Sequence, residues 1–416
     1  MHVVIVGAGA SGCFCAVNLK RRLPDVDVTI LEKGSKPMAK LAVTGGGRCN
    51  LTNTFTEVKS ISKVYPRGDK LMKRALKAFS NNDTMAWFEA EGIRLTAQSD
   101  QCVFPKSQDA MEVVSTLLHL IHRLGVNIQT RTNVESIEQN DDSSFTVTTS
   151  SQQKIKAQKV VVTAGGKPKA QGFSFLSPLS IDIVVPVPSL FTFSLDDENL
   201  RNLMGTVVSG VTIRLIGTNY STQGALLITH WGLSGPAVLK LSSLAARHLA
   251  ESNYSAEVGV NWLETMKESE ALQFLSAVRE RNPQKQIGSF APSFDYGQTS
   301  DTCRQSPITQ QLWLYIINKV GLAPQKRWQE IGTKQMNKLS SVLTNDIHKV
   351  SGRGKFKEEF VTCGGVSLSE ININTMESKK HKGLFFAGEI LDIDAITGGF
   401  NLQAAWTTGY IVSQNV

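Results

Sequence analysis

Apolar residues in this chain fall into short unbroken runs and helical repeats, and their alternation predicts an α/β fold. Val3-Val4-Ile5-Val6 and Val28-Thr29-Ile30-Leu31 are brief apolar runs suited to buried parallel strands. Between them a helix is predicted from about Ser11 to Leu23, stopping near Pro24. Lys70 to Glu91 reads as two helices broken at Ser80-Asn81-Asn82-Asp83, with Asn82 or Asp83 as the N-cap. From Gln108 to Leu124, the positions Met111, Val114, Leu117, Leu118, Ile121 and Leu124 recur at helical spacing, and Gly125 ends the pattern. Asn127-Ile128, a run around Val134, Phe145 to Thr149 and Ile155 predict a small antiparallel meander rather than another βαβ unit. Lys159-Val160-Val161-Val162-Thr163 returns to the sheet and ends in Ala164-Gly165-Gly166.

The pattern changes after about Pro186, where Pro186 and Pro188 suggest a linker. β-rich sequence runs to about His230, and a helix is predicted near Ala237 to Leu249. Met266 to Leu343 reads as mostly helical, with a polar loop around Ser289 to Ser306. Gly383 to Phe386 re-enters the sheet. The predicted organisation is a core from residues 1–188 and 346–416, with a β-barrel-like and helical insert at 189–345.

Glycines give the core its chemistry. Directly after the first strand, Gly7 suits a tight turn, Gly9 a close approach of backbone to pyrophosphate, and Gly12 helix–strand packing. Glu32 ends the second strand, where a carboxylate can accept ribose hydroxyls. At the other end, Gly388-Glu389 follows a strand and Gly398-Gly399 opens a final helix. The N–H groups of that helix can stabilise negative charge developing at a flavin edge. One site built from both ends of the chain is most simply read as binding FAD. No second GxGxxG occurs, so a nicotinamide donor would dock without a fingerprint of its own.

Composition narrows the setting. No apolar run approaches the ~18 residues of a membrane span, and the chain opens directly on a strand. The six cysteines, Cys13, Cys15, Cys49, Cys102, Cys303 and Cys363, have no metal or CxxC spacing, nor do the seven histidines. The expectation is a reduced cytoplasmic protein without metal. The net charge of +8 includes a run of Lys63, Arg67, Lys70, Lys73, Arg74 and Lys77, with Asp69 the only acid between them. A second run carries Lys349, Arg353, Lys355 and Lys357 beside Phe356. Either run is a solvated face or a footprint for nucleic acid or a phosphorylated ligand.

Four segments carry a resemblance: Val4 to Gly12, Thr44-Gly45-Gly46-Gly47-Arg48-Cys49-Asn50-Leu51-Thr52-Asn53, Thr229 to Pro236, and Gly398-Gly399-Phe400-Asn401-Leu402-Gln403. Together they resemble the BaiN/RdsA (YhiN-like) flavoproteins, also described as aminoacetone-oxidase-like, from residue 1 to about 413. Phe400 departs from the Tyr expected there. The resemblance implies a Rossmann-like fold of the two-dinucleotide-binding type, with FAD and NAD(P)H. It also implies reduction of conjugated C=C bonds in steroid-like substrates, reduction of a uridine in large ribosomal RNA, or amine oxidation. Carried over by motif, Gly7, Gly9, Ala10, Ser11, Gly12 and Glu32 hold the adenosine half of FAD, flanked by Val134, Ala164 and Gly165. Gly388, Glu389, Gly399, Phe400, Asn401 and Leu402 line the flavin half, and Lys33, Lys40, Gly46, Gly47, Arg48 and Asn50 complete the set.

Three consecutive glycines, Gly45 to Gly47, suit an anion-binding nest or close flavin approach. Arg48 can pair with a phosphate. Reducing a C=C bond needs a proton on one carbon, and Cys49 or His230 can supply it. The plainer readings are a packed thiol and a turn-capping histidine. Three functions remain open: a flavin-dependent reductase, an oxidase of small amines, and a non-redox RNA-binding or RNA-modifying flavoprotein.

Overall fold

The computed structural model describes residues 1–294, 308–354 and 361–416, so Cys303, Lys355, Phe356, Lys357 and most of the polar loop after Ser289 lie outside the described residues. The chain forms two compact units: Met1–Pro188 with Val361–Val416, and Ser189–Phe360.

The first unit is built on a five-stranded parallel sheet. Its spatial order is Leu384–Phe386, Lys159–Val162, His2–Val6, Asp27–Leu31 and Asn127–Gln129. Val4 lies opposite both Val160 and Thr29, so the two apolar runs nearest the N-terminus share the sheet's centre. Helix Ala10–Arg22 follows the first strand, with Lys20, Arg21 and Arg22 favourably placed against the negative end of its dipole. It packs along the last helix, Phe400–Asn415, and Gly409 permits the approach because a Cβ there would lie 2.7 Å from the Ser11 carbonyl oxygen. Phe14 is fully buried between Phe79, Trp87, Phe88 and Trp406, at ring separations of 4.6–6.0 Å.

Several local expectations are corrected. Asn127–Gln129 pairs in parallel with Asp27–Leu31 and closes a βαβ unit with helix Ala110–Arg123. The antiparallel meander is only Val134–Gln139, Phe145–Thr149 and Lys154–Ala157. A parallel partner lies across a crossover, so no local turn signal could have announced it. Ser80, not Asn82 or Asp83, caps helix Asn81–Ala90. Its side chain accepts from the Asp83 N–H, and the Asp83 carboxylate returns a bond to the Ser80 N–H. Met111 is 48% exposed, because the buried stripe of its helix runs through Val113, Val114, Leu117, Leu120 and Ile121. The proline segment is a strand, Ile183–Ser189, paired with Val361–Val366 in a two-stranded sheet, where every strand is an edge and proline is tolerated.

The second unit is a closed six-stranded barrel of Phe193–Leu195, Val207–Leu215, Ser221–Thr229, Gly232–Ser234, Ala256–Asn261 and Asp346–Arg353. The last strand pairs with both Phe193–Leu195 and Ala256–Asn261 and closes the barrel, so residues 346–353 belong to the insert rather than to the returning core. Helices Glu268–Arg281, Gln310–Val320 and Thr333–Thr344 surround buried Trp262, Trp313 and Trp328. The helix expected over Ala237 to Leu249 is two pieces, Pro236–Leu244 and Ala246–Glu251.

Candidate cofactor site

The glycine loop divides by what each position must avoid. Gly7 has φ +105°, and a Cβ there would meet the Thr163 carbonyl oxygen at 2.6 Å. A Cβ at Gly12 would sit 2.2 Å from the Gly7 oxygen. Both are glycines because protein packs against them. Gly9 differs: no protein atom lies within 4 Å of where its Cβ would be. That open side, at a helix N-terminus with no acid in its first turn, is where an anion can approach. The Oγ of Ser11 is buried without a hydrogen-bond partner, and its side chain abuts Gly388.

Glu32 is held from both oxygens. Oε2 accepts from the Ala8 N–H at 2.8 Å and Oε1 from the Gly34 N–H at 2.7 Å. The carboxylate thus ties the glycine loop to the end of the second strand and keeps lone pairs for a ligand hydroxyl. Thr132 N–H bonds the Glu32 carbonyl, which carries the chain to Val134 beside it. On the other flank, Thr163 Oγ1 donates to the carbonyls of Val6 and Gly7 at 3.1 and 2.8 Å. Half-buried Ala164 follows, and Gly165 turns away at φ +68°.

Gly388 and Glu389 join the chain's two ends. Gly388 N–H donates to Thr408 Oγ1 at 2.9 Å, and Glu389 accepts from Lys40 Nζ at 2.8 Å and from the Thr362 N–H at 3.0 Å. Lys33 is exposed and Lys40 lies largely in solvent.

The signature loop is laced to the final helix. Asn50, with its amide set to donate to the Thr52 carbonyl, accepts from the Gly399 N–H, both at 3.1 Å. Thr52 Oγ1 donates to Gln403 Oε1 at 2.5 Å, Asn53 to the Gly398 carbonyl at 3.1 Å, and Trp406 Nε1 to the Leu51 carbonyl at 3.0 Å. Gly45, Gly46 and Gly47 all take left-handed conformations, at φ 58°, 71° and 84°, and Gly46 and Gly47 face open space. Arg48 folds back over the Phe104 ring at 4.4 Å and donates to the Gly45 carbonyl at 3.0 Å, so its guanidinium serves the loop itself. Phe400 is 4% exposed, and its carbonyl accepts from Tyr65 Oη at 2.8 Å. Its ring packs edge-on against Phe55, a core position where a Tyr hydroxyl is not required. Asn401 closes the turn before the helix through two 2.9 Å bonds to the backbone of Ala395, and Leu402 is partly buried behind it.

The two proton-donor candidates lie in different settings. Cys49 is fully buried at φ +61°, and burial pushes its thiol up to about 12 despite a lowering hydrogen bond with Thr44. His230 is exposed on the inserted unit, with its ring edge-on to Trp231 at 4.3 Å. The turn there is closed by Thr229 Oγ1 bonding Gly232, not by the histidine. The five cysteines among the described residues are all buried.

Two features escaped the sequence. Arg67, expected in a basic footprint, pairs with Asp394, whose carboxylate is fully buried. Lys63, Lys70, Lys73, Arg74 and Lys77 remain exposed, the last four on one side of helix Asp69–Ala75 and the turn after it. Lys167 is the second: it follows the reversal at Gly165 and feels the charges of Lys33, Glu32 and Glu389, and no motif announces it.

A match over residues 1–415 runs to the HI0933-like protein Rossmann domain family. The chain belongs to that family. The resemblance drawn from the signature loop and the C-terminal glycines is borne out, as is a Rossmann-like FAD-binding fold with an inserted barrel. One relative is a 3-dehydro-bile acid delta(4,6)-reductase of Clostridium scindens, 25% identical across 99% of this chain and 98% of that protein. Another is a ribosomal RNA dihydrouridine synthase of Escherichia coli, 27% identical across 99% of this chain and 97% of that protein. Among solved structures, 3-ketosteroid delta1-dehydrogenase from Sterolibacterium denitrificans aligns with a TM-score of 0.50 at 12% identity, covering 99% of this chain and 98% of that one. That likeness concerns the fold. No helix among the described residues is long and apolar enough to cross a membrane.

Proposed function

We propose that this protein is an FAD-dependent reductase that takes electrons from NAD(P)H and saturates a conjugated C=C bond in its acceptor. The observation that carries the reading is the joining, in one unit, of a glycine loop open at Gly9 to the final helix through Gly388, which abuts Ser11 and bonds Thr408. The residues fit a dinucleotide: Gly9 leaves its side free, and Ser11 Oγ lacks a partner. Bound there, FAD supplies two-electron redox chemistry that no side chain offers. Gly7 to Gly12 and the first helix hold the diphosphate, and Glu32 the adenosine ribose. The first N–H groups of the last helix, after Gly399, would favour negative charge at the flavin end. Cys49 is fully buried with its thiol pKa raised, which weakens it as a proton donor.

The relatives' names describe the same bond change, since both a delta-reductase and the making of dihydrouridine saturate a C=C bond. RNA is the leading acceptor in this proposal, supported by the exposed basic face of Lys70, Lys73, Arg74 and Lys77. Anaerobic reduction of the bound flavin by NADPH or NADH, followed by acceptors including ribosomal RNA fragments and unsaturated steroids, tests the whole reading. Flavin reoxidised by one acceptor class is expected. Turnover of a small amine with oxygen uptake, and none with NAD(P)H, would replace the reductase with an oxidase. Reversing Lys70, Lys73 and Arg74 to Glu should weaken RNA binding and flatten its salt dependence while leaving flavin content unchanged. Normal RNA binding by that variant removes RNA from the proposal.

A further inference from the structure

We propose that Lys167 is a positioning residue for the cofactor, its ammonium pairing with the diphosphate when FAD binds. The inference rests on the FAD reading and extends it to a residue outside every motif considered above.

The backbone leading to Lys167 is fixed at both sides of the cleft. Thr163 is bonded to Val6 and Gly7, which ties the strand's end to the glycine loop. Two residues on, Gly165 reverses direction at φ +68°. Gly166 then lies so close to Glu389 that a Cβ would stand 2.8 Å from its Oε1 and 2.4 Å from Thr362 Oγ1. The stem of Lys167 packs on Gly172, where a Cβ would meet Lys167 Cβ at 2.7 Å, and its Nζ stands 5.9 Å from the centre of the Phe175 ring. A charge rooted there, next to Gly166 and Glu389, is within electrostatic reach of Glu32, Glu389 and Lys33.

Neither carboxylate belongs to it. Glu32 is engaged by the N–H groups of Ala8 and Gly34, and Glu389 by Lys40 and the Thr362 N–H. Among the described residues no carboxylate stands within ion-pair distance of Lys167 Nζ. Lys33, Lys40 and Lys167 around two acids leave an excess of positive charge for a dianion, beside a helix N-terminus free of acids. Burial, and then repulsion from Lys33, pull the Lys167 amine down to about 8, against opposing pulls from Glu32 and Glu389. A diphosphate arriving there favours the charged form, so binding should take up a proton.

The test titrates the full chain, freed of any bound flavin, with FAD by calorimetry at pH 8 in buffers of different ionisation enthalpy. Flavin fluorescence gives the affinity. With the amine near half-protonated at its value of about 8, the wild type should take up about half a proton per FAD, falling toward zero at pH 6. Lys167→Met should bind FAD roughly tenfold more weakly and lose the uptake. Lys167→Arg should keep most of the affinity and also lose the uptake, because a guanidinium stays charged throughout. Affinity within about twofold of wild type in a folded Lys167→Met chain, or uptake that persists in both variants, overturns the inference while leaving the FAD reading intact. A wild-type chain that does not bind FAD overturns both.

Discussion

Arg67 offers the sharpest separation between a charge that builds the fold and charges that meet a partner. It lies within the basic run in sequence, yet its side chain is 15% exposed and is directed at Asp394, which is 0% exposed. Nε donates to Asp394 Oδ1 at 2.5 Å, and a second bond joins the terminal nitrogen to Oδ2. Gly68 packs on Ile393 beside this pair, and the Tyr65 hydroxyl bonds Phe400. The pair therefore pins the start of the basic helix to the segment that enters the final helix. Arg67→Met keeps the apolar stem and removes the guanidinium from a buried carboxylate. Removing one partner of a buried ion pair costs about 3–5 kcal/mol. At about 2–4 °C per kcal/mol for a unit of this size, the melting temperature should fall by roughly 6–20 °C. Asp394→Asn in the Arg67→Met background should recover part of the loss. The assay is urea and thermal unfolding at pH 5 and pH 7, beside a Lys70→Met control expected to change little. A loss under about 1 kcal/mol, the range of exposed pairs, refutes the reasoning.

Other predictions separate cofactor contacts from packing. Gly9→Leu should fold and bind no FAD, whereas Gly12→Leu should fail to fold, because only the second side chain meets protein; circular dichroism and flavin absorbance distinguish them. Glu32→Ala should weaken FAD binding by ~1.5–3 kcal/mol, read as the flavin dissociation constant, and an unchanged constant would place the ribose elsewhere. Cys49→Ala should leave acceptor reduction by the reduced flavin within about twofold; a tenfold slowing under stopped flow would restore the thiol as a proton donor. In the inserted unit, His348 faces Asp346 at 2.9 Å and Asp197 at 3.6 Å. Burial alone would lower its pKa, but bonds to the two carboxylates outweigh it and raise it. Its stabilisation is thus full below ~6.5 and lost as pH rises through the folded value; His348→Ala should flatten that slope in thermal unfolding.

The sequence by itself determined what depends on local pattern and backbone freedom. The first two strands, the helix between them and the Gly7, Gly9 and Gly12 spacing are short-range signals. So are the glycines that open the last helix, and together they suffice for the fold class and a dinucleotide site. The tertiary structure decided everything that depends on distant partners. Asn127–Gln129 joined the sheet because its neighbour lies nearly a hundred residues away, and residues 346–353 joined the insert because a barrel needs a closing strand. Arg67 left the basic surface because Asp394, 327 positions on, is buried against it. The Cys49 thiol takes its raised pKa from burial, which no thiol announces in sequence. Lys167 follows a reversal at Gly165, a conformation that glycine permits without dictating. Periodicity reports which face of an element is buried, but charges and thiols take their chemistry from whatever that face meets.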